Sequence, residues 1–258
     1  MQTRMPALFV GHGNPMLTLG DNVYASAWAA LGPALPRPRA ILCVSAHWYA
    51  AGTAVTAMAA PRTIHDFGGF PPALHAIQYP APGDPDLARR IAALLAPVPV
   101  ALDTHWGLDH GTWTVLRHLF PQADIPVLQL RLDAMQESAF HAGLGQRLAP
   151  LRSEGVLIVG SGNLVHNLAL YSWGAPAAPL DWAVRFEATA RTQILAGRKE
   201  SLIAYETLGA EAHLAIPTAD HYLPLLYVLA LRTPADRITF PVEGIEGGSM
   251  SMLAVQIG

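Results

Sequence analysis

Short apolar runs alternate along the chain with amphipathic stretches, and most of them end at glycine, serine or histidine. Residues 40–44 form the clearest run, five apolar residues that lead into Ser45 and, two positions later, His47. Apolar runs of this length without alternation are typical of strands buried on both faces of a parallel sheet. Residues 7–10 and 156–159 repeat this design, with a glycine after each. We predict that all three runs are strands of one sheet.

The same criteria predict the remaining elements. Further strands are expected over residues 54–58, 98–102, 126–130, 238–242 and 252–257. Apolar periodicity and capping residues predict helices from Asp84-Pro85 onward and over residues 22–31, 113–119, 136–151, 183–196, 202–208 and 222–231. Strands that alternate with helices favour an α/β fold, a mostly parallel central sheet with helices on both faces. No linker or repeat divides the chain, so we expect a single catalytic domain over residues 1–258.

Residues 63–83 form a long loop that is rich in proline and glycine. Loops of this length in compact domains are usually functional or disordered. Phe67, Phe70 and Tyr79 make this loop too apolar for a disordered segment. We therefore predict a packed wall or lid over a site, with a helical turn at residues 72–77.

Composition narrows the class of protein. Of the 258 residues 52% are hydrophobic and 14% are charged, which favours a large core and argues against disorder. The formal net charge is -3 and no block of lysine or arginine occurs, so neither nucleic acid nor an anionic membrane is an expected partner. Without a signal-peptide pattern or an apolar run of membrane-spanning length, we expect a soluble, cytoplasmic protein. The single cysteine, Cys43, lies in a predicted strand and is interpreted as an inert core thiol.

Histidine is the residue type that carries the candidate chemistry. Five of the eleven histidines follow a strand or begin a helix, flanked by glycine, asparagine, aspartate or serine: His12, His47, His110, His166 and His221. Ligands of open α/β sheets bind outside the carboxyl ends of the strands, so these side chains are expected to converge. Neutral imidazoles from separate strands can hold zinc or ferrous iron. The sequence thus predicts one metal site assembled from distant segments.

Other catalytic motifs are missing from the sequence. No metalloprotease helix motif, cysteine pair, P-loop or dinucleotide fingerprint follows a predicted strand. Ser161 lies between two glycines, but Asn163 occupies the position of the second glycine in a nucleophile elbow. We therefore do not expect Ser161 to be a nucleophile.

Seven ordered motifs carry a resemblance to a known family. They read Gly-His-Gly-Asn-Pro, Ser-Ala-His-Trp, Asp-Phe-Gly-Gly-Phe-Pro, Tyr-Pro-Ala-Pro-Gly, Asp-His-Gly, Gly-Ser-Gly-Asn-Leu-Val-His-Asn and Pro-Thr-Ala-Asp-His, at residues 11–15, 45–48, 66–71, 79–83, 109–111, 160–167 and 217–221. This ordered set resembles the DOPA-type extradiol ring-opening dioxygenases, which are class III extradiol enzymes of the protocatechuate 4,5-dioxygenase superfamily. The resemblance spans nearly the whole chain.

The resemblance implies a role for each of the five histidines. His12, His47 and His221 match metal ligands, so one divalent metal ion is implied. Ferrous iron is expected for the dioxygenase chemistry, and zinc is expected in the protein as isolated. His166 matches the acid/base histidine, and His110 matches a second pocket histidine that contacts substrate or oxygen.

The implied reaction is cleavage of a catechol ring by O2 at an extradiol position, which gives a semialdehyde. A small aromatic diol of the DOPA type and O2 are therefore the expected partners. Phe67, Phe70 and Tyr79 are expected to face the aromatic ring and to exclude water. Position 65 is histidine and position 68 is glycine, where the family pattern leads us to expect tyrosines, so substrate preference can differ.

Several alternatives stay open at this point. Asp220 could be a metal ligand or an acceptor that orients a histidine. Three histidines and a water also describe a catalytic zinc site, so a zinc-dependent hydrolase is one alternative. A non-catalytic binding scaffold with a metal pocket is another. The particular catechol, the bond that is cleaved, the physiological metal and the oligomeric state are not determined by the sequence.

Overall fold

Strands that match the apolar runs form the centre of the computed structural model, which describes residues 4–174 and 177–258. In chain order, the strands of these residues are β1 Ala7–Gly11, β2 Ala40–Ala50, β3 Thr53–Thr56, β4 Val100–Asp103, β5 Val127–Asp133, β6 Val156–Gly162, β7 Ile238–Thr239, β8 Ile245–Glu246, β9 Met250–Ser251 and β10 Ala254–Ile257. One sheet has the spatial order β4-β3-β5-β2-β6-β1-β10-β7, and β8 pairs with β9 separately.

The central part of this sheet is parallel. Strands β5, β2, β6 and β1 are each parallel to their neighbours within this group, and β3 is parallel to β4. The pairs β3–β5, β1–β10 and β10–β7 are antiparallel. The prediction of a mostly parallel α/β sheet is confirmed, and the carboxyl ends of its four central strands lie along one edge.

Helices connect the strands and cover both faces of the sheet. Within the described residues they are α1 Val23–Ala34, α2 Pro72–His75, α3 Pro85–Leu95, α4 His110–Leu119, α5 Ser138–Arg147, α6 Pro150–Ser153, α7 Asp181–Ala196, α8 Lys199–Ile203, α9 Ala212–Ala215 and α10 Leu223–Ala230, with 3₁₀ turns at Pro15–Thr18 and Tyr205–Thr207. Each of the described helices is too short or too polar to cross a membrane.

The core divides into two apolar clusters because successive side chains of a strand point to opposite faces. In β2, Leu42 and Val44 pack into the cluster that contains α3, α5, α7 and α10. Ile41 and Cys43 pack into the other cluster, with Trp28 of α1 and residues of α4. The continuous apolar run of β2 is explained by burial on both faces, and Cys43 is fully buried as predicted.

Several predicted elements differ from the structure. The helix predicted over residues 113–119 begins at His110, and the helix predicted over residues 202–208 is α8 followed by a 3₁₀ turn. Two further differences have local reasons. The predicted helix over residues 136–151 is two helices, α5 and α6, because Pro150 has no N–H with which to continue α5. Strand β2 runs on to Ala50, so His47 lies inside the strand rather than after it. The pairing of β2 with β5 shifts register between Val44 and Tyr49, an irregularity of the kind that often redirects a side chain beside a site.

Candidate metal centre and active site

One cavity at the carboxyl edge of the sheet brings all five selected histidines together. Its volume is about 170 Å³, and its walls include His12, His47, His110, His166 and His221. The remaining wall is mostly apolar and includes Phe67, Phe70, Leu168, Trp173 and Met250. The convergence predicted from the strand ends is therefore present in the structure.

Three of the histidines form a group that could hold a metal ion. His12 follows β1, His47 lies in β2 and His221 precedes α10. Each offers a ring nitrogen, and these atoms all lie within 4.8 Å of one another. The Nε2 atoms of His12 and His47 are 3.0 Å apart. Three imidazoles at this spacing are a donor set that suits zinc or ferrous iron.

Hydrogen bonds fix which ring nitrogens are free in this group. Nδ1 of His12 lies 3.1 Å from Oγ of Ser161, whose hydroxyl hydrogen is given to the carbonyl of Gly111. Ser161 therefore accepts from Nδ1–H, which leaves Nε2 of His12 unprotonated. Nδ1 of His221 lies 2.8 Å from Oδ2 of Asp220, and a carboxylate can only accept, so Nδ1 carries a hydrogen and Nε2 is the ring nitrogen that remains for an ion.

Two observations show that a metal ion fits these residues. Nε2 of His221 is buried and has no hydrogen-bond partner in the described part of the chain. A buried polar atom without a partner costs about 1–3 kcal/mol, a cost that a ligated ion would remove. Burial, followed by the charges of neighbouring histidines, lowers the pKa of His12 and of His47 well below the ordinary value. Both side chains are therefore neutral, the form of imidazole that binds metals.

Asp220 lies behind His221 rather than in the group that could hold the ion. Burial raises the pKa of the Asp220 carboxyl, but hydrogen bonds from His221 and Thr218 outweigh this effect, so the pKa is lowered. The carboxylate is ionised and accepts from Nδ1 of His221. Of the two alternatives left by the sequence, the geometry favours an acceptor that orients the histidine.

Strand β6 holds the backbone of His221 in place by close approach. The N–H of Asn163 donates to the carbonyl of His221 at 2.9 Å. A Cβ atom on Gly162 would fall on that same carbonyl, so only glycine allows the contact. Gly162, the last residue of β6, therefore helps to position a side chain from a distant loop.

Replacing Gly162 with alanine should weaken metal binding and destabilise the fold by about 1–3 kcal/mol, because the added methyl must push the His221 backbone away. Metal titration and urea unfolding would measure the two effects. Gly143→Ala in α5 is the matched control, since a Cβ there meets open space. It should stabilise the helix by about 0.5–1 kcal/mol and leave metal affinity unchanged. Equal metal affinity in Gly162→Ala and the wild type would contradict the role of this contact.

His166 lies directly on the metal-ligand group. Its ring stacks on that of His221, with centroids 3.5 Å apart and planes 5° apart. Burial, with the nearby His221, lowers the pKa of His166 to about 3. The ring is therefore neutral at neutral pH, and its nitrogen without a hydrogen can accept a proton from a molecule in the cavity.

His110 is the first residue of α4, and its ring lies against the ring of His47. Asp109 caps the helix by accepting from the N–H of Thr112 at 3.1 Å. Gly111 has no side chain, which lets the helix start approach β2 so closely that the His47 and His110 ring centroids are 3.8 Å apart. Cap and glycine are both local signals that were visible in the sequence.

The loop predicted as a lid supplies an acidic partner that the sequence prediction missed. Asp66 accepts from the backbone N–H of His110 at 2.8 Å and from its Nδ1 at 2.9 Å. Burial raises the pKa of Asp66, but these hydrogen bonds and the nearby His110 outweigh it, so the pKa is lowered and the carboxylate is ionised. The only sequence signal was the position of Asp66 beside Phe67 within a motif.

The three aromatic residues that were predicted to face a substrate ring do not all lie at the cavity. Phe67 and Phe70 both line the cavity, and Phe67 meets the His110 ring edge-to-face at a centroid distance of 5.4 Å. Tyr79 does not reach the cavity, which corrects the expectation that it faces a substrate ring. It is buried in the core below, and its hydroxyl donates to the carbonyl of Phe120 at 3.0 Å. Trp173 instead lies at the cavity wall.

Comparisons with known proteins agree with this geometry. Residues 22–237 match the family model of the catalytic LigB subunit of aromatic ring-opening dioxygenase. The chain is 52% identical to a 4,5-DOPA dioxygenase extradiol of Escherichia coli strain K12, over 99% of this chain and 96% of the relative. It is 37% identical to a 4,5-DOPA dioxygenase extradiol of Beta vulgaris, over 94% of this chain and 92% of the relative.

A solved structure shares the whole fold. The crystal structure of an uncharacterized protein from Escherichia coli K12 superposes with a TM-score of 0.87 at 47% sequence identity. The match covers 99% of this chain and 100% of that chain. The arrangement of strands around the cavity is therefore shared at full length.

Fold, site and similarities define the class of protein as an extradiol ring-cleavage dioxygenase. Within that class, the chain belongs to the family of the catalytic LigB subunit of aromatic ring-opening dioxygenases. The resemblance inferred from the seven motifs is confirmed. Enzymes of this family are metal-dependent, in keeping with the histidine group that could hold an ion.

Proposed function

We propose that this enzyme uses ferrous iron and O2 to open the ring of a catechol next to its two hydroxyls, which gives a semialdehyde. The observation that carries the proposal is the convergence of three histidine ring nitrogens, within 4.8 Å, in a cavity that two further histidines line. His12, His47 and His221 would hold the iron. When bound there, iron would bring both substrates together and lower the pKa of a catechol hydroxyl.

His166 is the proposed acid/base residue. Its unprotonated ring faces the cavity beside the metal-ligand group, so it can take a proton from a catechol hydroxyl and return it to the product. Positioned acid/base groups typically contribute about 10²–10⁴-fold to a rate. His110, on another wall, would hydrogen-bond the oxygen on which negative charge develops.

The cavity favours a small aromatic substrate. At about 170 Å³ it is smaller than the pockets that take drug-sized ligands, and most of its wall is apolar. Phe67, Phe70 and Trp173 would contact the ring and exclude water. Because relatives at 52% and 37% identity are named 4,5-DOPA dioxygenases, we propose a DOPA-like catechol as the substrate. One sheet includes both the first strand of the chain, β1, and the last, β10, which supports our proposal that residues 1–258 act as a single catalytic domain.

Oxygen uptake tests the proposal. Protein stripped of metal and reloaded with ferrous iron under argon should consume O2 when a panel of catechols that includes DOPA is added, and a new yellow product should form. Zinc-loaded protein should consume none, because zinc has no redox chemistry. Uptake should stop when the metal is removed again.

Three other results of these assays would argue against the proposed reaction. Iron-loaded protein that binds metal but consumes no O2 with any catechol would contradict the proposed reaction. Ester or amide hydrolysis by the zinc-loaded form, independent of O2, would support the hydrolase alternative instead. Binding of a catechol without turnover in any metal form would support a scaffold.

A further inference from the structure

The carboxylate of Asp66 controls which nitrogen of His110 carries a hydrogen. Oδ2 of Asp66 lies 2.9 Å from Nδ1 of His110, and Oδ1 accepts from the backbone N–H of the same residue at 2.8 Å. An ionised carboxylate can only accept, so Nδ1 of His110 is the protonated nitrogen. Nε2 is then the ring nitrogen of His110 that remains for a molecule in the cavity, and in the neutral ring it is bare.

A bare Nε2 sets the order in which His110 can act. An unprotonated ring nitrogen accepts a hydrogen bond but cannot donate one. His110 therefore cannot stabilise an oxygen anion until it has received a proton. In our reading, His166 takes the proton of one catechol hydroxyl and His110 that of the other: its O–H bond breaks, an N–H bond forms at Nε2, and the resulting imidazolium lies beside the Asp66 carboxylate. The proton later returns from Nε2 to a product oxygen, which restores the starting state.

The same carboxylate belongs to the loop that walls the cavity. Neighbouring contacts hold this loop: Nε1 of Trp113 donates to the carbonyl of Ile64 at 2.8 Å, and Nε2 of His65 lies 2.9 Å from the carbonyl of Ile77. Phe67, the next residue after Asp66, meets the His110 ring. Asp66 thus reaches His110 while Phe67 covers the cavity, so one loop position supplies both contacts.

We propose that Asp66 is a positioning residue that fixes His110 in the tautomer with a bare Nε2, and that it does so when its loop covers the cavity. The inference rests on the proposed function, since it assigns how one histidine of that site accepts a proton. Asp66 does not need to touch the substrate for this role. Its effect is transmitted through the Nδ1–H of His110.

A second reading of the same atoms makes a different prediction. His47, Asp66 and His110 also form a group whose ligand atoms lie within 4.8 Å of one another, and Nδ1 of His47 is 3.5 Å from Oδ2 of Asp66. If this group held the metal ion, a change at Asp66 would reduce metal content. Hydrogen bonding of both Asp66 oxygens to His110 supports the positioning role over ligation.

Asp66→Asn is the decisive variant. The amide keeps the size of the side chain and one oxygen that accepts the His110 backbone N–H, but its NH₂ group must donate to Nδ1. Nδ1 then loses its hydrogen, and Nε2 gains one. If Asp66 served only to hold its loop in place, Asp66→Asn would preserve that role. If Asp66 fixes the tautomer of His110, the same change would reverse it.

Long-range proton–nitrogen NMR of histidine labelled with nitrogen-15 reports the tautomer directly in metal-free protein. The His110 signal, assigned by its loss in His110→Gln, should show Nδ1–H in the wild type and Nε2–H in Asp66→Asn. Asp66→Glu, which keeps a carboxylate, should retain Nδ1–H. Asp103→Asn is the matched control, because that carboxylate accepts the N–H groups of His105 and Trp106 and touches no histidine ring. It should leave the His110 signal unchanged.

Kinetics of the iron-loaded variants complete the test. Asp66→Asn should lower kcat by about 10²–10⁴-fold with a much smaller change in KM and with unchanged metal content, and Asp66→Glu should recover part of kcat. An Nδ1–H signal or a wild-type kcat in Asp66→Asn would overturn the proposal, as would loss of metal. If the wild type itself consumed no O2, the proposed function would fail, while the NMR result would still decide the tautomer.

Discussion

His47→Ala should bind little metal and show no turnover, whereas His166→Ala should keep its metal and lose kcat by about 10²–10⁴-fold. The two residues line one cavity, but their geometry differs. Nε2 of His47 lies 3.0 Å from Nε2 of His12 within the candidate ligand group. The ring of His166 lies outside that group and stacks on His221, which suits a group that moves protons.

Metal analysis after anaerobic reconstitution, followed by oxygen uptake, separates the two variants. His105→Ala is the control, because this histidine is exposed and does not line the cavity. It should match the wild type in both measurements. Equal metal loss in His47→Ala and His166→Ala would show that the division of roles is wrong.

Arg152→Met should destabilise the fold by about 3–5 kcal/mol. The side chain is 1% exposed and forms two hydrogen bonds to Asp236, at 2.9 and 3.1 Å. It also donates to the carbonyls of Met5, Leu231 and Ile257. Methionine fills a similar volume but leaves three carbonyls without this donor, and the largely buried Asp236 carboxylate keeps the hydrogen bonds from Arg4 and Thr233 alone.

Urea unfolding measures the effect, and Arg37→Met is the matched control. Arg37 pairs with Asp124 at 2.7 Å, but the two side chains are 63% and 50% exposed. Exposed pairs contribute about 0–1 kcal/mol because water screens them. Similar losses in the two variants would mean that burial of the arginine does not determine its contribution.

The Arg152 effect should also depend on pH. Burial raises the pKa of Asp236, but hydrogen bonds from Arg152 and Thr233 outweigh this effect and lower it. A carboxyl with a lowered folded-state pKa stabilises the fold above its unfolded pKa of about 3.9, and this contribution is lost as the pH falls. The difference in unfolding free energy between wild type and Arg152→Met should therefore shrink below about pH 4.

Local sequence signals account for the elements that position the site. The apolar run at residues 40–44 predicted a strand buried on both faces, and Asp84 predicted a helix start that the structure confirms. These signals work because a strand face or a helix cap is decided by residues within a few positions of each other. Pro150 is a further local signal. The apolar periodicity predicted one helix over residues 136–151, but Pro150 has no N–H to continue it, so α5 ends at Arg147.

Contacts across the fold were decided only by the tertiary structure. Asp66 and His110 are 44 positions apart, and His12 and Ser161 are 149 apart, yet each pair shares a hydrogen bond. Tyr79 has the residue type of a cavity wall but is turned into the core by the path of its loop. The sequence by itself determined which histidines lie toward the carboxyl edge of the sheet, and hence where the chemistry lies. The packing of distant segments decided which nitrogen of each histidine is free, because that depends on partners that local pattern does not specify.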